Sequence, residues 1–111
     1  MSTRDEGARL LDTLVEPYLA REDVTEGRMF ASDGFFVRGK LFAFVATEGR
    51  LIVKLPRARR DALVASGEAE AVVMGHRTMR EWVAAPLTPS CREHWAALVA
   101  EAFAYLDEIT P

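Results

Sequence analysis

The feature that most constrains the fold of this chain is a series of short apolar runs separated by glycine turns in its middle. The runs span residues 35–38, 41–45 and 51–55, and they are joined by Gly39-Lys40 and Glu48-Gly49. Runs rich in β-branched and aromatic residues, with glycine turns at short spacing, are typical of β-hairpins. The middle of the chain is therefore predicted to form an antiparallel meander.

Further strands are predicted on both sides of these runs. Upstream, Arg28-Met29-Phe30 is predicted to start a strand, and residues 31–34 to form a turn or bulge. Downstream, residues 57–66 have a helical pattern, and residues 71–74 and 79–85 are strand candidates.

Helical periodicity marks both ends of the chain. Leu10, Leu14 and Tyr18 belong to an apolar stripe near the start, where Pro17 is predicted to kink or restart the helix because proline lacks an N–H. The clearest helix follows residue 90, where apolar residues recur at helical spacing at Trp95, Leu98, Val99, Ala102, Phe103, Leu106 and Ile109.

The order of these elements predicts an α+β fold. The 111 residues, half of them hydrophobic, suit a single domain with one core, so residues 1–111 are interpreted as one domain. The expected architecture is a two-layer sandwich in which helices cover one face of an antiparallel sheet of about five strands, in the order α-β-β-β-α-β-β-α.

One predicted strand is apolar on both of its faces. Alternation along residues 41–45 places Phe42 and Phe44 opposite Leu41, Ala43 and Val45. A sheet covered on one side by helices usually has polar residues on the other side. We therefore interpret Phe42 and Phe44, extended by Ile52 on the next strand, as an interface with a protein partner or with a second copy of the chain in a homodimer. The alternative is that a loop or a twisted sheet edge of the same chain covers these side chains.

The charge of the chain is unevenly distributed. The net charge is −3, but residues 24–60 carry eight Lys and Arg residues against three carboxylates, a net charge of +5. Within this segment Arg57, Arg59 and Arg60 fall at the start of a predicted helix, where the helix dipole disfavours cations. They are candidates for contact with an anion such as phosphate, and the alternative is salt bridging to the acidic outer helices.

No motif in the chain indicates catalysis, a metal or a cofactor. Residues 34–41 nearly match a phosphate-binding loop, but Leu41 stands where that loop needs Ser or Thr, and the segment is predicted to be a strand. Cys91 and His94 have the spacing of two metal ligands, and His76 is the only other histidine, which leaves too few ligands for a zinc site. We therefore expect the chain not to be an enzyme and to carry no cofactor.

Sequence features that would indicate secretion or a membrane are missing. Cys91 is the only cysteine and cannot form an internal disulfide. Residues 1–6 are charged and lack an apolar signal core, and no apolar run approaches the roughly 18 residues of a membrane span. A cytoplasmic protein without membrane contact is expected.

The middle of the chain resembles the TfoX/Sxy N-terminal domain family. The similarity lies in the segments Val24–Phe30, Gly34–Ala43 and Leu51–Leu55, and it extends to Met79–Val83. One departure is Ala31-Ser32-Asp33 before the lone Gly34, where family members usually carry a Gly-Gly pair. The resemblance implies a regulatory role, because full-length members regulate competence genes through a chain that includes a second, C-terminal domain. Since this chain ends at Pro111, a single-domain member is expected.

Together these features favour a non-enzymatic binding or regulatory module that acts through protein contacts. The alternative is a nucleic-acid-associated, competence-type transcriptional factor that uses the basic segment 24–60. The acidic net charge and the missing recognition-helix motif make nucleic acid the less favoured partner. A small enzyme whose site is not visible in the sequence is the third interpretation.

Overall fold

Three helices and six strands make up the described part of the chain. The computed structural model describes residues 3–28 and 33–111. In chain order the elements are α1 (Thr3–Leu19), β1 (Val24–Arg28), β2 (Asp33–Val37), β3 (Lys40–Val45), β4 (Leu51–Lys54), α2 (Arg57–Ser66), β5 (Glu70–Met74), β6 (Arg77–Ala85) and α3 (Arg92–Ile109). Met29-Phe30 of the predicted strand start and residues 31 and 32 of the predicted turn lie outside the described residues. Arg28, predicted to start a strand, ends β1, and Asp33-Gly34, predicted to lie in the turn, begin β2.

The strands form one antiparallel sheet in the order β1-β2-β3-β4-β6-β5. Consecutive hairpins build β1 to β4, and α2 then carries the chain past β6 so that β5 forms an edge of the sheet. The predicted α+β fold and order of elements are confirmed, with six strands in the described residues where about five were expected.

The helices bury a single core against one face of this sheet. Trp95, Leu98 and Leu106 of α3 are almost fully buried and belong to one cluster with Leu11 of α1 and Leu63 of α2. The Trp95 indole also donates a hydrogen bond of 3.1 Å to the backbone carbonyl of Pro86. The apolar stripe predicted for the last helix therefore supplies a large part of the core.

The first helix is continuous where a restart was predicted. α1 runs through Pro17 to Leu19, so of the two predicted effects a restart is wrong, and a kink stays a prediction. Proline removes one N–H donor, and Pro17 lies near the end of α1, where this affects only its last turn. No helix within the described residues is long and apolar enough to cross a membrane.

Candidate functional site

A β-bulge decides which phenylalanine of β3 faces the helices. Phe35 pairs with Ala43 and Phe36 with Leu41, so Phe42 is an extra residue in β3. A bulge of this kind interrupts the alternation of side chains between the two faces. Phe42 is fully buried, and its ring packs edge-on against Phe103 of α3 with centroids 5.7 Å apart. The prediction that Phe42 shares the uncovered face with Phe44 is therefore wrong.

The sheet face opposite the helices carries an apolar depression, which we call the open-face groove. Its volume is about 260 Å³, and its lining is formed by Leu41, Phe44, Ile52, Val72, Met74, Met79 and Trp82. The rings of Phe44 and Trp82 meet edge-on with centroids 6.0 Å apart, and Ile52 is only 4% exposed. Two of the three predicted interface residues, Phe44 and Ile52, thus lie together in this groove.

The hairpin of β5 and β6 forms one wall of the open-face groove. The pairing shifts from Ala71 with Val83 to Val72 with Met79, which leaves extra residues in β6. Strict alternation along β6 would put Met79 and Trp82 on opposite faces, but after this irregularity both line the groove. The sequence pattern therefore did not identify them, although the alternation of Val72 and Met74 was a usable signal. The β5–β6 hairpin is also an edge of the sheet that lies beside Phe44 and Ile52. It therefore fits, in part, the alternative in which a sheet edge of the same chain covers these side chains.

Three cations adjoin the open-face groove, and we call them the basic rim. Lys54, Arg77 and Arg80 line a second groove of about 400 Å³ that shares Met79 and Trp82 with the first. The Lys54 ammonium lies 5.9 Å from the centroid of the Trp82 ring, a cation–π distance. Among the described residues, none of the three cations forms an ion pair.

One carboxylate, Glu81, also lines the second groove, and its side chain is held by a contact with α3. It accepts a hydrogen bond from the Tyr105 hydroxyl of α3. This hydrogen bond, with burial as a smaller cause, raises the pKa of Tyr105. With three cations against this one carboxylate, the lining of the second groove is net positive.

Most arginines of the basic segment 24–60 are neutralised within the chain. They form ion pairs with carboxylates that come from neighbouring turns and from distant elements: Arg28 with Asp33, Arg38 with Asp23 and Asp107, Arg50 with Glu48 and Glu70, Arg59 with Glu101, and Arg60 with Asp61. The segment is therefore much less basic in the folded chain than its sequence indicates.

Arg38 makes the densest set of these contacts, which we call the C-terminal clamp. Its Nη1 donates to the carboxylates of Asp23 and Asp107, the latter at 2.9 Å. Its Nη2 donates to the backbone carbonyls of Asp107 and Thr110 at 2.8 and 2.7 Å, and its Nε donates to that of Pro111 at 3.1 Å. A guanidinium has five N–H donors, so none remains for a ligand.

The three arginines predicted to contact an anion have different surroundings. Arg59 donates to both carboxylate oxygens of Glu101 on α3, at 2.7 and 3.2 Å. Arg60 donates to Asp61 at 2.8 Å. The contact of Arg59 with α3 favours the alternative of salt bridging to an outer helix, whereas Arg60 pairs within α2 itself. For Arg57 an anion contact stays a prediction.

A separate cleft between α1 and the sheet gathers carboxylates. It has a volume of about 390 Å³, and its lining includes Asp12, Asp33 and Arg28. Burial, followed by interaction with Asp33, raises the pKa of Asp12 and of the neighbouring Glu26. Across the described residues, no three His, Cys, Asp or Glu side chains are grouped so that they could hold a metal ion.

Cys91 and His94 are each accounted for by local structure. The Cys91 thiol is 6% exposed at the start of α3, and the His94 Nε2 lies 2.8 Å from the backbone carbonyl of Glu68. Of the grooves and side-chain clusters described above, the open-face groove with its basic rim is the strongest candidate site on the described surface.

Comparison with known proteins gives one family match. A family model described as the TfoX N-terminal domain matches residues 17–106, which is most of the chain. No curated protein and no solved structure matches the chain.

Proposed function

The chain belongs to the TfoX N-terminal domain family, and from this premise we propose that it is a non-enzymatic module that acts in regulation through protein contacts. The open-face groove is the proposed contact surface. Its partner is either another protein or a second copy of the chain.

The observation that carries this proposal is the apolar lining of the open-face groove. Phe44 and Trp82 lie on the face opposite the helices, and Met74 beside them is 65% exposed. Grouped apolar side chains on the surface of a protein often mark an interaction site. Burying one large apolar side chain contributes roughly 1.5–3 kcal/mol. An apolar centre with a charged edge is also the usual composition of a protein interface.

Nucleic-acid binding through residues 24–60 is less well supported. That proposal depends on free cations, and five of the eight cations in the segment are engaged in ion pairs. Affinity for nucleic acid depends mainly on cations that reach phosphates.

The proposed contact can be tested with Phe44→Glu. A carboxylate in the groove leaves a buried, unpaired charge when a partner docks, which is strongly unfavourable. Wild type and variant are immobilised, and the proteins that they capture from native lysate are identified by mass spectrometry. Light scattering of each chain alone records self-association. The capture or the dimer is expected to weaken by about tenfold or more in the variant.

Ile109→Glu is the matched control. It makes the same change at an apolar side chain of α3 that is 51% exposed and lies outside the groove. Circular dichroism establishes that all three chains are folded. Equal capture and equal mass for folded wild type and folded Phe44→Glu would contradict the proposed function.

A further inference from the structure

The cations beside the open-face groove are among those of the described residues that have no carboxylate partner. Arg21, Arg38, Arg50 and Arg59 all have carboxylate partners within the chain. The basic rim, by contrast, has three cations without an ion pair among the described residues, in a chain whose net charge is −3. The surface that is most apolar therefore also offers unneutralised positive charge.

The size of the groove indicates what enters it. Pockets for drug-sized ligands usually measure about 300–1,000 Å³. The apolar depression, at about 260 Å³, is smaller than that range and suits one or two apolar side chains. The adjoining cationic groove, at about 400 Å³, continues the surface without enclosing a ligand. This shape fits an apolar anchor on a longer chain segment.

We propose that the open-face groove and the basic rim bind an acidic, amphipathic segment of a partner protein. This inference rests on the proposed function and specifies the partner's chemistry. An apolar side chain of the segment packs onto the surface that Phe44 and Trp82 form together, and flanking carboxylates accept hydrogen bonds from Arg77 and Arg80. Charge-assisted hydrogen bonds of this type are stronger than neutral ones, and arginine suits carboxylates because its donors form a planar fork.

A second copy of the chain fits this surface less well. In a symmetric dimer the same patch of both copies meets across the interface. Such a dimer would bring six rim cations and only two carboxylates, the two copies of Glu81, into one interface, and this excess of like charge is unfavourable. Charge complementarity therefore favours a separate, acidic partner.

A single-stranded nucleic acid is the other polyanion to consider. Such ligands stack their bases on exposed aromatic faces. Here the Phe44 and Trp82 rings already meet edge-on, and Lys54 lies over the Trp82 ring. The aromatic surface is therefore arranged for apolar contact more than for base stacking.

The test is a selection of random peptides displayed on phage against the folded, full-length chain. Enriched peptides are expected to combine Asp or Glu with Leu, Phe or Trp.

One enriched peptide is then synthesised with a fluorescent label, and its binding to the chain is followed by fluorescence anisotropy at low and high salt. The double variant Arg77→Ser/Arg80→Ser is expected to weaken binding by roughly tenfold at low salt, since each lost charge contributes a modest amount. The control Arg92→Ser removes an exposed arginine of α3 outside the groove and should bind like wild type.

Each contrary result has a distinct meaning. Enriched peptides that are neutral or basic, but lose binding in Phe44→Glu, overturn the acidic partner and leave the proposed function standing. The inference is also overturned by an absence of enrichment, by equal loss of binding in Arg92→Ser, or by tighter binding of a single-stranded oligonucleotide than of any peptide. A dimer of wild type that Phe44→Glu dissociates would assign the groove to a second copy.

Discussion

Arg38 lies in an unusual backbone conformation, and its side chain explains how that conformation is held. Its φ of 46° falls in the left-handed region, which residues other than glycine seldom occupy. The following Gly39 adopts φ 83° without such strain. The five hydrogen bonds of the C-terminal clamp fix Arg38 at this turn, so the local strain and the long-range contacts depend on one residue.

Asp23, one of the clamp carboxylates, gives the structure a pH dependence with a defined sign. Hydrogen bonds from Arg21 first, and then from Arg38, lower the pKa of Asp23 from 3.8 to about 2. A carboxylate with a lowered folded-state pKa contributes stability above its ordinary pKa, and this stability is lost as the pH falls towards about 2. Asp23→Asn should therefore lower stability at neutral pH and flatten its decline between about pH 4 and pH 2. Urea titrations across that range measure the effect.

Glu26→Gln is an informative comparison because the pKa of Glu26 is shifted in the opposite direction. Burial, followed by a hydrogen bond with Asp33, raises it. Protonation of Glu26 therefore stabilises the folded state as the pH falls through this raised pKa. Glu26→Gln should consequently not flatten the loss of stability at acid pH, as Asp23→Asn is expected to do. An unchanged acid decline in Asp23→Asn would show that the clamp carboxylate does not contribute to pH-dependent stability.

Among the elements, β3 departs most from its sequence pattern. Its bulge turns Phe42 into the helix-covered core and leaves Phe44 on the open face. Phe42→Ala should therefore cost about 3–5 kcal/mol of unfolding free energy, as is usual for a buried phenylalanine. Phe44→Ala should cost clearly less, because its side chain is only partly buried. Denaturant titrations of both variants compare the two costs, and equal costs would be inconsistent with the bulge.

Helices and strands whose apolar residues recur at regular spacing could be predicted from the sequence. The positions where the strand pairing is irregular could not. The hairpins and the last helix follow from alternation and from the apolar stripe that includes Trp95 and Leu98. The bulge at Phe42 and the shifted pairing after Ala71 depend on how whole strands pack against neighbours, which a local pattern does not contain. For this reason Phe44 and Ile52 could be found from the sequence, whereas Trp82 could not.

At the scale of the whole molecule, the structure separates two kinds of surface. The helix layer carries the carboxylates of α1 and α3, and two of those on α3, Glu101 and Asp107, neutralise Arg59 and Arg38 of the middle segment. The opposite face carries the open-face groove and its unpaired cations. The basic rim could not be located from segment totals, because Arg77 and Arg80 lie outside the basic segment 24–60 and most arginines of that segment are paired with carboxylates.

The C-terminal clamp also bears on the order in which the chain folds. Four of its five hydrogen bonds join Arg38 to residues 69 to 73 positions further along the chain. Closing a loop of that length costs conformational entropy, so we expect these contacts to form after the sheet and α3 have already associated. Contacts that are absent from the folding transition state affect the rate of unfolding more than the rate of folding.

Arg38→Lys keeps the charge but loses the planar fork of donors, so stopped-flow kinetics should show faster unfolding with little change in the rate of folding. Slower folding in this variant would instead place the clamp among the early contacts. If the expectation holds, the lifetime of the folded state is controlled by one side chain in the turn between β2 and β3.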